Sequence, residues 1–438
     1  MTTTQSPPRD VPFIPAPQSI AETGLEPSLV ADLILKAVYL QGRAAGRDIA
    51  DFLALPFRVI QEGLEFLRRE QYCEILPGSG TSEQSYRYTL TSRGADKVAE
   101  VMERSAYVGP APVPLRVYVE AVRYQSVRGA ALSPRELEAA LGDLVLSRRT
   151  LRTLGPAINS GRSVLLFGAP GNGKSTVAER LGRMLPGNVL IPYAVEANGH
   201  IIRVFDPRIH VAVESPEEEN GDGNGGLTAG VERRRDRRWI KSQRPMVVAG
   251  GELTLQNLEL LYDQTSKFYV APLQMKANNG VLLVDDFGRQ LIRPKELLNR
   301  WIVPLEKGWD YLSFQTGETV SIPFDCLIVF STNMPPRQLG DEAFLRRIRH
   351  KVLIPNPTRS EFEEIFRRTA QRMRVPMEED ALQYLIETYY VAQGREFRGC
   401  HARDIIELML DIARFEGVPP RVDRESIDRA CAAYFIEE

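Results

Sequence analysis

Ser163-Val164-Leu165-Leu166-Phe167-Gly168-Ala169-Pro170-Gly171-Asn172-Gly173-Lys174-Ser175-Thr176 is the stretch that decides the fold. The apolar run over 163–167 predicts a short buried strand, and a helix is expected from the lysine to Leu185. Between them stands GxxxxGK[ST], in the strand–loop–helix context that gives the phosphate-loop pattern its meaning. The chemistry explains the residue types. Glycines let successive backbone N–H groups turn toward phosphate oxygens, and the opening helix adds the positive end of its dipole. Lys174 is suited to reach the β- and γ-phosphates of ATP, and Ser175 offers a hydroxyl to Mg²⁺. Gly168, Ala169, Pro170, Gly171, Asn172, Gly173 and Thr176 complete the cradle. The plainer reading is a glycine-rich turn with an exposed lysine. Two more strand ends with matching chemistry, at 280–286 and 327–333, weaken it.

Gly280-Val281-Leu282-Leu283-Val284-Asp285-Asp286 reads as a buried strand ending in two carboxylates. Asp285 is expected to hold Mg²⁺ through water, and Asp286 to polarise the attacking water. Leu327 to Phe330 is a further apolar run, ending in Ser331-Thr332-Asn333. Asn333 is placed to contact the γ-phosphate or orient the water. A short helix then carries Arg346 and Arg347. These either neutralise a helix C-terminus or reach a neighbouring subunit's nucleotide.

The chain has 438 residues, with 55 Lys plus Arg and 57 Asp plus Glu, so its formal charge is −2. There are 46 Arg against 9 Lys, a skew similar to that of proteins from GC-rich bacterial genomes. A globally basic coat for nucleic acid is excluded by the lack of cationic excess. No apolar run approaches the ~18 residues of a membrane span, and the N-terminus lacks the apolar core of a signal peptide. Cys73, Cys326, Cys400 and Cys431 form no CxxC pair, and a zinc site or disulfide framework is not expected. A reducing cytoplasm is the expected location.

Residues 1–24 are rich in Thr, Ser and Pro and read as a disordered tail. Residues 25–106 read as three helices, a hairpin and a fourth helix, which resembles a winged-helix domain. Between Glu26 and Arg104 there are 10 basic and 12 acidic residues, so protein docking is favoured over DNA binding. The proline-rich 107–132 reads as a linker. Ser133-Pro134-Arg135-Glu136 is a capping box that opens a new unit. From 133 to 356, apolar runs alternate with helical patterns, predicting α/β layers around a parallel sheet. The remaining 357–438 reads as all helical, opening at the capping box Thr358-Arg359-Ser360-Glu361.

Taken together, these segments resemble the AAA+ ATPases over 133–438. The resemblance implies a P-loop α/β core with a C-terminal helical lid, ATP and Mg²⁺ as cofactors, and a homo-oligomeric ring, expected to be a hexamer. It makes Lys174 and Ser175 part of Walker A, Asp285 and Asp286 Walker B, and Asn333 sensor 1. Arg346 and Arg347 fall in the arginine-finger region, with Arg347 the favoured residue. Cys400-His401-Ala402-Arg403-Asp404 resembles sensor 2, which implies that Arg403 touches the γ-phosphate. Two alternating runs around Thr316-Gly317-Glu318 read as a hairpin, and a hairpin before sensor 1 resembles the MoxR-type clade. That likeness implies a chaperone that remodels a protein target. An ATP-switched DNA regulator or loader is the alternative.

Two departures stand out. Asp286 takes the place of the usual Glu, and its shorter reach predicts slow hydrolysis. The charged segment 214–241, which includes Arg233-Arg234-Arg235-Asp236-Arg237-Arg238, reads either as a solvated insertion or as an arginine-lined contact.

Overall fold

The computed structural model describes residues 11–76, 83–128, 132–213, 235–340, 342–378 and 380–435. Its centre is a five-stranded parallel sheet in the order Met246–Ala249, Val281–Val284, Leu327–Thr332, Ser163–Phe167, His350–Leu353. The middle strands are buried along their whole length, which is why they read as unbroken apolar runs rather than alternating ones. Lys174–Met184 packs on one face with Val177, Ala178 and Leu181. Phe287, Leu297, Leu298 and Trp301 fill the other. This is the expected α/β class: a P-loop core with a parallel sheet, followed by a helical unit. That unit holds Arg359–Arg372, Gly399–Glu416 and Arg424–Tyr434 around Phe362, Phe366, Tyr390 and Ile405. Both capping boxes form: Ser133 accepts from Glu136 N, and Thr358 accepts from Glu361 N.

The region between the loop helix and Met246–Ala249 departs from the simple alternation of strand and helix. Its strands Ala194–Ala197 and His200–Arg203 enter a second, mixed sheet in the order Leu261–Asp263, Phe268–Val270, His200–Arg203, Ala194–Ala197, Val113–Pro114, whose other strands come from before the loop helix and after Met246–Ala249. Asn188–Pro192 pairs with Trp239–Gln243 beside it. The hairpin Trp309–Ser313/Thr319–Pro323 forms as expected and turns at Gly317, φ 86°. It is not a free arm, because Leu312, Phe314, Val320 and Ile322 are buried in the core of this second sheet.

The linker expected over 107–132 is corrected by the same packing. Tyr107 and Ala111 are core residues, Val113–Pro114 is a sheet strand, and Leu115–Tyr124 is a helix. Proline sets the helix entry here rather than a flexible connection, since Pro114 is the N-cap. The disordered tail is likewise corrected for 11–24. Val11 and Ile14 pack against the second sheet's core, and Ile20 is buried in the N-terminal unit. Residues 1–10 lie outside the described residues.

The N-terminal unit runs Pro27–Gln41, Ala44–Ala45, Gly46–Leu53, Phe57–Arg69, Cys73–Ile75, Arg87–Leu90 and Ser92–Arg104. Its small antiparallel sheet has Arg87–Leu90 in the middle. The unit shares one core with the second sheet, because Ala194, Ile201 and Phe268 belong to the same apolar cluster as Ile34, Leu53 and Val98. Backbone bonds from Ala111 N to Leu53 O (2.8 Å) and from Ala106 N to Ser266 O (3.0 Å) reinforce that junction.

Residues 214–234 of the charged segment lie outside the described residues, but its end is structural. Arg238 and Asp236 are a buried pair, with side chains 4% and 2% exposed. The guanidinium of Arg238 donates to Thr23 O and Pro112 O, both at 3.1 Å, tying three segments together. Arg237 reaches Asp51 of the N-terminal unit at 2.7 Å. The reading of an arginine-lined external contact is therefore corrected at 237–238, where both charges are paired within the chain. Removing one partner of a buried pair leaves an uncompensated charge. Asp236→Ala is expected to lower stability by about 3–5 kcal/mol in chemical denaturation, and a loss below about 1 kcal/mol would contradict the burial.

Candidate nucleotide site

The sheet order sets the site. Leu327–Thr332 lies between Ser163–Phe167 and Val281–Val284, so its end comes between the phosphate loop and the two carboxylates. All three strands are parallel and present their carboxyl ends together, where open α/β sheets bind ligands.

The loop closes as the sequence requires. Gly171 and Gly173 take φ 79° and 78°, the left-handed region that glycine enters without strain. Gly173 is the N-cap of Lys174–Met184, so Lys174 and Ser175 open the helix. The Lys174 ammonium donates to Gly168 O (3.1 Å), Ala169 O (2.8 Å) and Asn333 Oδ1 (2.5 Å). Burial lowers its pKa from the usual lysine value, and the nearby Asp286 and Asp285 charges oppose that shift. Asn333 also donates from Nδ2 to Asp286 Oδ1 at 3.4 Å. One amide thus joins the loop lysine to the second carboxylate. Ser175 Oγ donates to Asp285 Oδ1 at 2.9 Å. Gln290 braces this carboxylate's backbone by donating to Asp285 O at 2.6 Å.

A hydroxyl and a carboxylate at hydrogen-bond distance are the hard oxygen donors that suit Mg²⁺, which takes few protein ligands and completes its shell with water and phosphate. Among the described residues no group of three or more His, Cys, Asp or Glu side chains could hold a metal ion.

Asp286 occupies the left-handed region at φ 49°. Phe287 enforces that turn: its side chain is buried, its N–H donates to Ser331 O (2.7 Å), and its carbonyl accepts from Thr332 Oγ1 (2.7 Å). Asp and Asn enter this region more readily than longer side chains. The unusual aspartate therefore suits the local backbone.

Arg346 and Arg347 are not at this end of the sheet. Ser163 Oγ donates to Arg347 O at 3.2 Å. Ser163 begins the strand whose other end feeds the loop, a separation of roughly 13 Å along the strand. The Arg347 guanidinium pairs with Glu306 at 3.2 Å, whereas Arg346 is exposed. Arg403 lies on the helix Gly399–Glu416. It pairs with Asp404 (3.2 Å) and Glu407 (3.8 Å) on its own helix and is 59% exposed.

The helix's contact with the loop comes one turn earlier. Gly399 N donates to Asn172 Oδ1 (3.2 Å) and Cys400 N donates to Gly171 O (2.7 Å). Arg398, the N-cap of this helix, is half-buried, and its side chain has no hydrogen bond or ion pair among the described residues. The sequence does not single out Arg398, Asn356 or the contact role of Asn172. Gly399, which permits the close approach, is the one local signal of this contact.

A protein-family model described as a domain of unknown function, DUF8689, matches residues 358–433. No curated protein matches the chain. Among solved structures, the chain is similar to the RuvB Holliday junction branch migration motor of Thermotoga maritima, at 15% identity and TM-score 0.37, covering 67% of this chain and 71% of that one. It is also similar to NtrX from Brucella abortus in complex with ADP, at 15% identity and TM-score 0.39, covering 76% of this chain and 65% of that one. No helix among the described residues is long and apolar enough to cross a membrane.

The helix against the loop carries a pH-sensitive group. His401 is buried and its ring contacts Tyr390 OH at 3.0 Å. Burial, aided by the Arg398 charge, lowers its pKa from 6.5 to about 4. The unfolded chain thus binds this proton between those values while the folded chain resists it. Stability from this group is complete above pH 6.5 and is lost as pH falls toward 4. A decline of about 2 kcal/mol across that window is expected, read from denaturation at pH 7 and pH 4.5. His401→Phe should flatten it, and equal acid sensitivity in the variant would remove His401 as the cause.

Proposed function

We propose that the chain is an AAA+ ATP hydrolase that acts as an assembled ring, hexameric in the MoxR-like manner, to remodel a protein target in the bacterial cytoplasm. The observation that carries the reading is the continuous set Lys174–Asn333–Asp286 beside Ser175–Asp285, built on three adjacent strand ends. Lys174 would bind the β- and γ-phosphates. Ser175 and Asp285 would hold Mg²⁺, whose role when bound is to neutralise phosphate charge. Asp286 would accept the proton of the attacking water, with Asn333 fixing its carboxylate.

Arg346 and Arg347 lie at the far end of the 163–167 strand, so an arginine from this region serves a neighbouring subunit's nucleotide. The Glu306 pair occupies Arg347, and we assign the finger to the exposed Arg346. Such a head-to-tail contact repeats until the ring closes.

The N-terminal unit has the element order of a winged helix. The exposed face of Phe57–Arg69 carries Glu62, Glu65 and Phe66 as well as Arg58, Arg68 and Arg69, and the partly exposed Glu70 caps its end. The Glu62 carboxylate accepts Ile20 N at 3.0 Å. A surface of balanced charge with an exposed ring supports protein docking rather than phosphate neutralisation. The hairpin before Leu327–Thr332 supports the MoxR-like reading.

Three variants test the site. Lys174→Ala should abolish binding of a fluorescent ATP analogue. Arg346→Ala should bind it normally yet lose turnover by about 10³-fold or more; turnover at the wild-type rate would place the finger elsewhere. Asp286→Glu should not accelerate hydrolysis, because the longer side chain enters a left-handed backbone less readily. A faster Glu variant would show that reach, not backbone fit, governs this position.

A further inference from the structure

The first N–H groups of an α-helix have no partner within the helix. In Gly399–Glu416 two of them are given to the phosphate loop itself. Gly399 N–H donates to Asn172 Oδ1 and Cys400 N–H to Gly171 O. The other end of the Asn172 amide donates to Asn356 Oδ1 (2.7 Å), and Asn356 Nδ2 donates to Glu396 Oε2 (2.9 Å). Asn172 therefore sits in a chain that touches the helical unit on both sides, at 396 and at 399. Cys400 Sγ abuts Gly171, leaving no room there for a side chain.

These contacts bear on the loop's phosphate donors. No peptide bond among the described residues is cis. A trans peptide carries its C=O and N–H on opposite sides. Holding Gly171 O toward the helical unit thus fixes the Asn172 N–H on the side away from it. Rotation of the helical unit would leave two helix N–H groups unpaired and free that peptide to turn.

We propose that Asn172 is a positioning residue that latches the 358–433 unit to the phosphate loop. The attitude of that unit and the aim of the loop's donors are then set together. This assigns to the domain of unknown function a mechanical part in phosphate binding, through Gly399, Cys400 and Glu396. It rests on the nucleotide-site reading for its purpose but not for its existence, because every bond in the latch joins residues of this chain.

The test uses the full chain and the variants Asn172→Ala, Asn356→Ala and their combination. Hydrogen exchange at 396–403 is followed without nucleotide and with saturating ADP. The latch predicts at least tenfold faster exchange at Gly399 in nucleotide-free Asn172→Ala. It also predicts that ADP alters protection of 396–403 in the wild type but not in Asn172→Ala. The double variant should be no worse than the more affected single one, since both break one chain. Asn172→Gln, which keeps the amide, should recover part of the ADP response, whereas a merely structural role would not distinguish Gln from Ala. Wild-type exchange at Gly399 in Asn172→Ala, or an unchanged ADP response, overturns the latch. Failure of the wild type to bind ADP instead overturns the nucleotide-site reading, and nucleotide-free exchange still decides whether the latch exists.

Discussion

The structure depends on one parallel pairing, that of Leu327–Thr332 with Ser163–Phe167 on one side and Val281–Val284 on the other. The register aligns Thr332 with Phe167 and Phe330 with Val284, so three strand ends open onto the same crevice. A one-residue slip would turn every buried side chain of the middle strand to the wrong face. The amide of Asn333 can then meet both Lys174 and Asp286. Without that register the phosphate loop and the acidic pair would be separate turns on one protein.

Around this centre the parts are less independent than a string of domains suggests. The second sheet shares one apolar cluster with the N-terminal unit and another with the hairpin, and the buried Asp236–Arg238 pair ties in Thr23 and Pro112. A buried pair is weak evidence for net stability, but here it specifies how three segments meet. Arg300 pairs with the buried Asp310 and with the more exposed Glu259, joining the base of the hairpin to the helix after the acidic pair. Any movement begun near Asp286 thus has packed, paired residues between it and the N-terminal unit. A recruiter swinging on a linker is the wrong image; the N-terminal unit is carried with the second sheet.

Much of the core is legible in the sequence because its signals are local. A glycine-rich turn between a strand and a helix, apolar runs ending in carboxylates, and two capping boxes each depend on residues within a few positions. The second sheet is not legible as such, since its strands are short and pair across long separations. One signal is present: Asn198-Gly199, both at positive φ, is the tight turn joining Ala194–Ala197 to His200–Arg203. Pro110, Pro112 and Pro114 suggest a linker because proline breaks helices, yet proline equally suits a short edge strand and a helix entry. Motif spacing points to Arg403. Its guanidinium pairs with acids one and four residues away, contacts that the motif's spacing does not encode.

The most direct measurement is ATP turnover per subunit at saturating Mg²⁺ and ATP, followed across protein concentration alongside the mass of the assembly. Completion of each site by a neighbour predicts near-zero turnover in the monomer, rising steeply as the oligomer forms. Turnover per subunit that is constant from monomer to oligomer would contradict it, because each chain would then hold a complete site of its own.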